Sequence, residues 1–262
     1  MSNHQQGNKM ISKKVLIPLP RYGCDPSEVA IPWLLLDKQH IEMTFITPDG
    51  KTATTDEIML TGKRLGLLKP ILQARHDAVI AYQQLESSIA FTNPLKYTDV
   101  SAVDFDGLLL PGGHHKGVKE YLESEVLQKL VVDFFNANKP VAAVCHGVLI
   151  PARSIDPGTQ QSVIYDYKCT GLLKRQELTA YQLTRLWLDD YYLTYPETTT
   201  EDELISVLAC KTQFLQGNLP LSRDDLQHLS RGFIVKDRNY LSARWPGDIY
   251  NFSLRFIEML TD

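Results

Sequence analysis

Short apolar runs that stop at proline or glycine alternate along this chain with stretches of helical periodicity. Lys14–Leu19 is one such run, closed by Pro20, and reads as a buried strand. Asp25, Pro26, Ser27 and Glu28 then carry a helix-start signal: an Asp cap, Pro at the first position and a carboxylate in the first turn. That helix is predicted to reach about Gln39. Ile41–Thr47 alternates apolar and polar before the Pro48-Asp49-Gly50 turn and reads as a second strand. Lys51–Val100 shows helical patches, Ile71–Leu85 among them, and no convincing strand, so it reads as an excursion from the sheet.

The alternation then resumes. Gly107–Leu110 is a strand closed by Pro111-Gly112-Gly113, and Glu120–Asn136 is amphipathic, with Leu122, Val126, Leu127, Leu130 and Phe134 at helical spacing. Pro140–Cys145 is a wholly apolar strand, with a helix predicted from His146-Gly147. Ser162–Tyr167 reads as a strand, Arg175–Tyr192 as a long aromatic-rich helix, and Thr198–Glu203 as a polar run. Phe233–Val235 and Tyr240–Ala243 read as a hairpin and Asn251–Met259 as a closing helix. Strands separated by helices of this length imply a mostly parallel sheet covered on both faces.

Composition narrows the function classes. Among 262 residues, 27 are Lys or Arg and 31 are Asp or Glu, so no cationic surplus suggests a nucleic-acid footprint. The longest apolar runs, such as Val29–Leu36, fall well short of the roughly 20 residues a membrane span needs. Met1–Met10 is polar, and residues 1–12 read as a loose tail of a cytoplasmic protein. Residues 13–262 read as one domain with insertions near 51–100 and 174–230. Cys24, Cys145, Cys169 and Cys210 are too sparse for a disulfide scaffold, and no Cys/His cluster has zinc spacing. No cofactor or metal is expected.

The sharpest chemical signal is Ala143-Val144-Cys145-His146-Gly147 between an apolar strand and a helix. A nucleophile on a tight strand-to-helix turn needs small residues two positions before and after it, and Ala143 and Gly147 meet that need. A helix starting behind Cys145 would favour the thiolate, with His146 beside it to exchange a proton. Pro111-Gly112-Gly113 ends a neighbouring strand, where open α/β sheets bind ligands. The N–H groups of Gly113 and His146 could form an oxyanion hole there. Glu28 has two readings: a partner for the helix dipole, or a carboxylate turned onto Cys145. In the second, two acids compete for charge and one keeps a proton near neutrality.

Taken together these pieces resemble the ThiJ/PfpI superfamily, with its glutamine-amidotransferase-like fold. The matching segments are Ser27-Glu28-Val29-Ala30-Ile31-Pro32, Leu110-Pro111-Gly112-Gly113-His114, Ala143-Val144-Cys145-His146-Gly147 and Leu241-Ser242-Ala243-Arg244-Trp245-Pro246-Gly247. The resemblance is nearest to the heat-shock chaperone/glyoxalase branch. It implies a flavodoxin-like three-layer α/β sandwich with helical cap insertions and a C-terminal hairpin. It also implies Cys145 as nucleophile, Glu28 as its interacting carboxylate and His146 as its partner. Glu177, following Thr170-Gly171, would be a third acid that orients the histidine; its other reading is a solvated helix-start carboxylate. Gly112, Gly113 and His114 would form the substrate- and oxyanion-binding turn, and a homodimer is expected.

The expected activity is a cofactor-independent, glyoxalase-type conversion of small 2-oxoaldehydes to 2-hydroxy acids. The alternatives are a cysteine amidase or peptidase of the PfpI type and a non-catalytic thiol sensor or holding chaperone. Val148 departs from the proline common in relatives, and the aromatic helix and the 51–100 connection are enlarged, forming either a cap or a dimer surface. His114-His115 reads as loop polarity or as a pair approaching the pocket or a metal. Tyr181, Trp187, Tyr191, Tyr192 and Tyr195 read as packing. Arg244 reads as an anion anchor or a dimer contact, and Cys169 and Cys210 as structural.

Overall fold

The computed structural model describes residues 12–262; the tail expected at residues 1–12 lies, apart from Ser12, outside the described residues. Seven strands form one sheet: β1 (Lys14–Pro18), β2 (Glu42–Thr47), β3 (Leu95–Lys96), β4 (Gly107–Leu110), β5 (Val141–Val144), β6 (Ile234–Asp237) and β7 (Tyr240–Ala243). Their spatial order is β6-β7-β5-β4-β1-β2-β3. Every pairing is parallel except the β6–β7 hairpin.

Alternation along the strands sends side chains to two cores. Val15, Ile17, Val144 and Leu241 pack against helices α1 (Pro26–Lys38) and α2 (His76–Glu86) and the C-terminal α7 (Ile249–Thr261). Leu16, Leu108, Leu110 and Tyr240 pack against α3 (Glu125–Asn136), α4 (Leu149–Arg153) and α6 (Thr200–Val207). The result is a flavodoxin-like α/β sandwich of three layers. A further helix, α5 (Lys174–Leu188), joins the 51–100 excursion in a third, smaller cluster built from Met59, Leu65, Leu188 and Tyr192.

Four readings of the pattern change. Ser162–Tyr167 is not a strand beyond Ser162, which ends a two-residue pairing with Ile155–Asp156. Both neighbours of β7 are already taken by β5 and β6, so no sheet edge is left for it there. Glu120–Asn136 breaks in two where Ser124 caps α3, its side chain accepting from Leu127 N–H. The polar run at 198–203 contains the cap and first turn of α6, with Thr199 Oγ1 accepting from Asp202 N–H at 3.2 Å. The excursion does contribute strand, as Leu95–Lys96 pairs with β2 at the sheet edge.

Candidate active site

The site gathers where β1, β4 and β5 end, on the turns beyond them. Val144 is extended, and Cys145 then enters the left-handed region at φ 56°. For a residue with a Cβ that conformation costs on the order of 1–2 kcal/mol, and packing must hold it. Two glycines let the packing close. A Cβ on Gly147 would stand 2.3 Å from the Leu110 carbonyl oxygen, and one on Gly112 would stand 2.8 Å from His146 N and 2.9 Å from Cys145 Cβ. Tyr121 pins the intervening turn by donating from its hydroxyl to the Pro111 carbonyl at 2.9 Å.

Glu28 is carried into this corner by α1. Asp25 caps the helix by accepting from Ser27 N–H at 2.7 Å and Glu28 N–H at 3.2 Å. The Glu28 side chain is fully buried. Its Oε2 accepts from Gly112 N–H at 2.8 Å, its Oε1 is buried without a hydrogen-bond partner, and the carboxyl stands near enough to Cys145 for each charge to act on the other. The structure therefore chooses the second reading of Glu28, turned onto the sulfur.

Burial dominates the electrostatics. Desolvation, then the Asp25 charge, pushes Glu28 well above the ordinary carboxylate range; Gly112 N–H and the thiol pull the other way and lose. Desolvation likewise pushes the Cys145 thiol well up, with Glu28 and Asp25 adding to it, against the His146 N–H that favours thiolate. The expected thiolate bias from a helix behind Cys145 is overturned. The sulfur is backed by a 3-10 turn, Cys145–Val148, and then by the five-residue α4, too little dipole to offset removal from water. The pair keeps at least one proton at neutral pH.

His146 is 1% exposed. Its Nδ1 lies 3.6 Å from Cys145 Sγ, and its Nε2 lies 3.1 Å from Thr194 Oγ1 and 3.8 Å from Glu177 Oε1. Glu177 is 3% exposed, with Oε2 accepting from Thr200 N–H at 3.1 Å, so its reading as a solvated helix-start carboxylate is excluded. Gly112 cannot serve as an oxyanion donor while its N–H is held by Glu28. Gly113 N–H has no protein acceptor among the described residues.

His114 contributes its carbonyl oxygen, which accepts from the Thr194 hydroxyl at 2.7 Å, and its ring as a wall. The ring stacks on Tyr192 with centroids 4.4 Å apart and meets Tyr191 edge-on. Burial, with His146 and His115 adding to it, pushes its pKa down to about 3, so it stays neutral. Among the described residues no group of three His, Cys, Asp or Glu could hold a metal.

Cys145 is only 5% exposed, and the segment after α5 reaches the same rim, with Thr194 against His146 and Tyr192 stacked on His114. Tyr191 donates to Asp56 Oδ2 at 2.5 Å, and Lys116 pairs with Asp190 at 2.5 Å. Arg64 and Trp187 exchange hydrogen bonds, each donating to the other's carbonyl, at 3.1 and 2.9 Å. The two insertions are thus fastened to each other as a cap. Thr194, Tyr191, Asp56 and the charge of Asp25 are not visible as site residues in the sequence. Nothing in the local run Leu193-Thr194-Tyr195-Pro196 marks a residue that folds back onto a histidine 48 positions earlier.

One residue moves out of the site, and one structural cysteine moves out of the core. Arg244 is 2% exposed and gives a bidentate pair to Asp248 at 2.9 and 2.8 Å, so it anchors the loop before α7 rather than an anion or a dimer partner. Cys169 is buried as expected, whereas Cys210 is exposed and forms no part of the core.

A family model described as ThiJ/PfpI family-like matches residues 19–203, most of the chain. The chain belongs to the ThiJ/PfpI family. Within the family it is 27% identical over 158 residues to an uncharacterised protein of Schizosaccharomyces pombe, covering 57% of this chain and 58% of that one. It is 24% identical to the deglycase PfpI of Pyrococcus furiosus, covering 63% of this chain and 69% of the relative. Other matches span less: 36% of an Archaeoglobus fulgidus protein and 20% of the Arabidopsis thaliana DJ-1 homolog D. The chain thus matches only part of the length of these curated relatives. In fold, it is similar to glyoxalase III of Candida albicans, with a TM-score of 0.70 at 18% identity, covering 94% of this chain and 97% of that one. It is also similar to Drosophila melanogaster DJ-1beta, with a TM-score of 0.54 at 18% identity over 95% and 91% of the two chains.

Proposed function

We propose that the chain is a cysteine-dependent, cofactor-independent enzyme of glyoxalase type acting on small 2-oxoaldehydes. The observation that carries this reading is the buried sulfur of Cys145, 3.6 Å from His146 Nδ1 and within the electrostatic reach of the Glu28 carboxyl. The thiol proton passes to His146 as Sγ adds to the aldehyde carbon, and from the imidazolium to the new alkoxide, giving a neutral hemithioacetal and leaving the Glu28 carboxylate free to act as base. The developing oxyanion is met by Gly113 N–H and by His146 N–H. Glu28 removes the hydrogen from the former aldehyde carbon and a proton returns at the adjacent carbonyl carbon. The product is a thioester of the 2-hydroxy acid. Water cleaves it, releasing the acid and restoring the thiol, with no external oxidant or reductant. Glu177 lies where it would stabilise a transient imidazolium.

A second reading, hydrolysis of amides or removal of adducts from proteins, draws on the deglycase names of the Pyrococcus furiosus and Escherichia coli relatives. The enclosed sulfur favours free aldehydes over polypeptide-borne groups. Purified protein should convert methylglyoxal to lactate, and Cys145→Ala should abolish the conversion. Loss of methylglyoxal without lactate, or a rate unchanged in Cys145→Ala, would refute the proposal. The homodimer and the cytoplasmic location belong to the same proposal. Leu67, Leu186 and Leu221 are 98%, 89% and 86% exposed, and light scattering tests whether two copies pair. No helix among the described residues is long and apolar enough to cross a membrane.

A further inference from the structure

We propose that Thr194 is the positioning residue that fixes which nitrogen of His146 faces the thiol, a role that rests on the proposed use of His146 beside Cys145. Proton placement decides the direction. Thr194 Oγ1 lies 2.7 Å from the His114 carbonyl oxygen, a contact that needs a proton between two oxygens. The carbonyl has none, so the single hydroxyl proton of Thr194 is committed there. Toward His146 Nε2, 3.1 Å away, the hydroxyl can then only accept. Nε2 therefore carries the ring proton, and the lone pair of the neutral imidazole sits on Nδ1, which faces Cys145 Sγ.

Glu177 is not the group that makes this choice. Its Oε1 is 3.8 Å from Nε2, beyond hydrogen-bond length, and its Oε2 is spent on Thr200 N–H. A carboxylate at that distance supplies charge, and the threonine supplies direction. Thr194 itself is placed by the cap, since it comes directly after the segment that Tyr191 ties to Asp56 and Tyr192 stacks onto His114. The base faces the sulfur when that segment is docked.

The test uses the full-length protein and needs no turnover of an aldehyde. Nitrogen-15 NMR of histidine-labelled wild type at alkaline pH should show His146 protonated at Nε2. A ring protonated at Nδ1 would overturn the proposal. Cys145 alkylation by iodoacetamide across pH 6–9 gives the second readout. Thr194→Val should slow alkylation at pH 7 by about 10-fold or more, because the ring loses its fixed acceptor in a buried site. Thr194→Ser should restore it. An unchanged profile in a folded Thr194→Val protein, or failure of Thr194→Ser to restore it, would refute the assignment. If these results hold while wild type consumes no 2-oxoaldehyde, Thr194 keeps its role and the glyoxalase reading falls.

Discussion

Replacing Glu28 by Gln separates the cost of a buried carboxyl from its use. Glutamine has nearly the same shape, and its amide oxygen can accept from Gly112 N–H as Oε2 does at 2.8 Å. The substitution removes a titrating acid with no exposure at all. Desolvation raises its folded pKa above the unfolded value, so the sign of the linkage is opposite to that of a salt-bridged carboxylate. The folded state gains when the acid is protonated; stability is lost as pH rises from the unfolded pKa, about 4.3, through the raised folded one. Each tenfold difference in proton affinity between the folded and unfolded chain is worth about 1.4 kcal/mol, or about 3–6 °C of Tm for a chain of this size. Glu28→Gln should therefore melt higher than wild type at pH 7.5, and the two curves should converge near pH 4. Turnover should move the other way, by about 100- to 10,000-fold, as expected for loss of a general base. Calorimetry across pH 4–8 with methylglyoxal kinetics on the same samples makes the comparison. A variant that melts no higher at pH 7.5, or one that keeps its turnover, would show that Glu28 is neither a desolvated acid nor the proton carrier.

Three further outcomes are expected. Gly147→Ala forces a Cβ to within 2.3 Å of the Leu110 carbonyl, a backbone contact that cannot give way, so soluble yield and Tm should both collapse. Arg244→Met strands the buried Asp248 carboxylate, and equilibrium urea unfolding should show a loss of about 3–5 kcal/mol. A loss below about 1 kcal/mol would mean that the pair is not isolated from water. Tyr191→Phe removes the hydroxyl that donates to Asp56 Oδ2; amides of residues 189–195 should exchange faster with deuterium while those of β5 stay protected.

Much of this protein is legible in its sequence. The Asp25-Pro26 cap, the Pro111-Gly112-Gly113 stop and the Ala143–Gly147 elbow are local signals, because backbone geometry restricts which residues can stand there. Local rules therefore place Glu28, the glycine turn and Cys145 at strand ends and helix starts, and the parallel alternation puts them at one rim of the sheet. Other features need the folded chain. The ionisation of Cys145 depends on how completely the cap removes it from water and on the charges of Glu28 and Asp25, neither of which a helix-dipole argument contains. Thr194 reaches His146 only because α5 and the segment after it fold back over the rim. Pairing across such sequence distance comes from tertiary packing, which leaves no periodicity in the threonine's own neighbourhood to read.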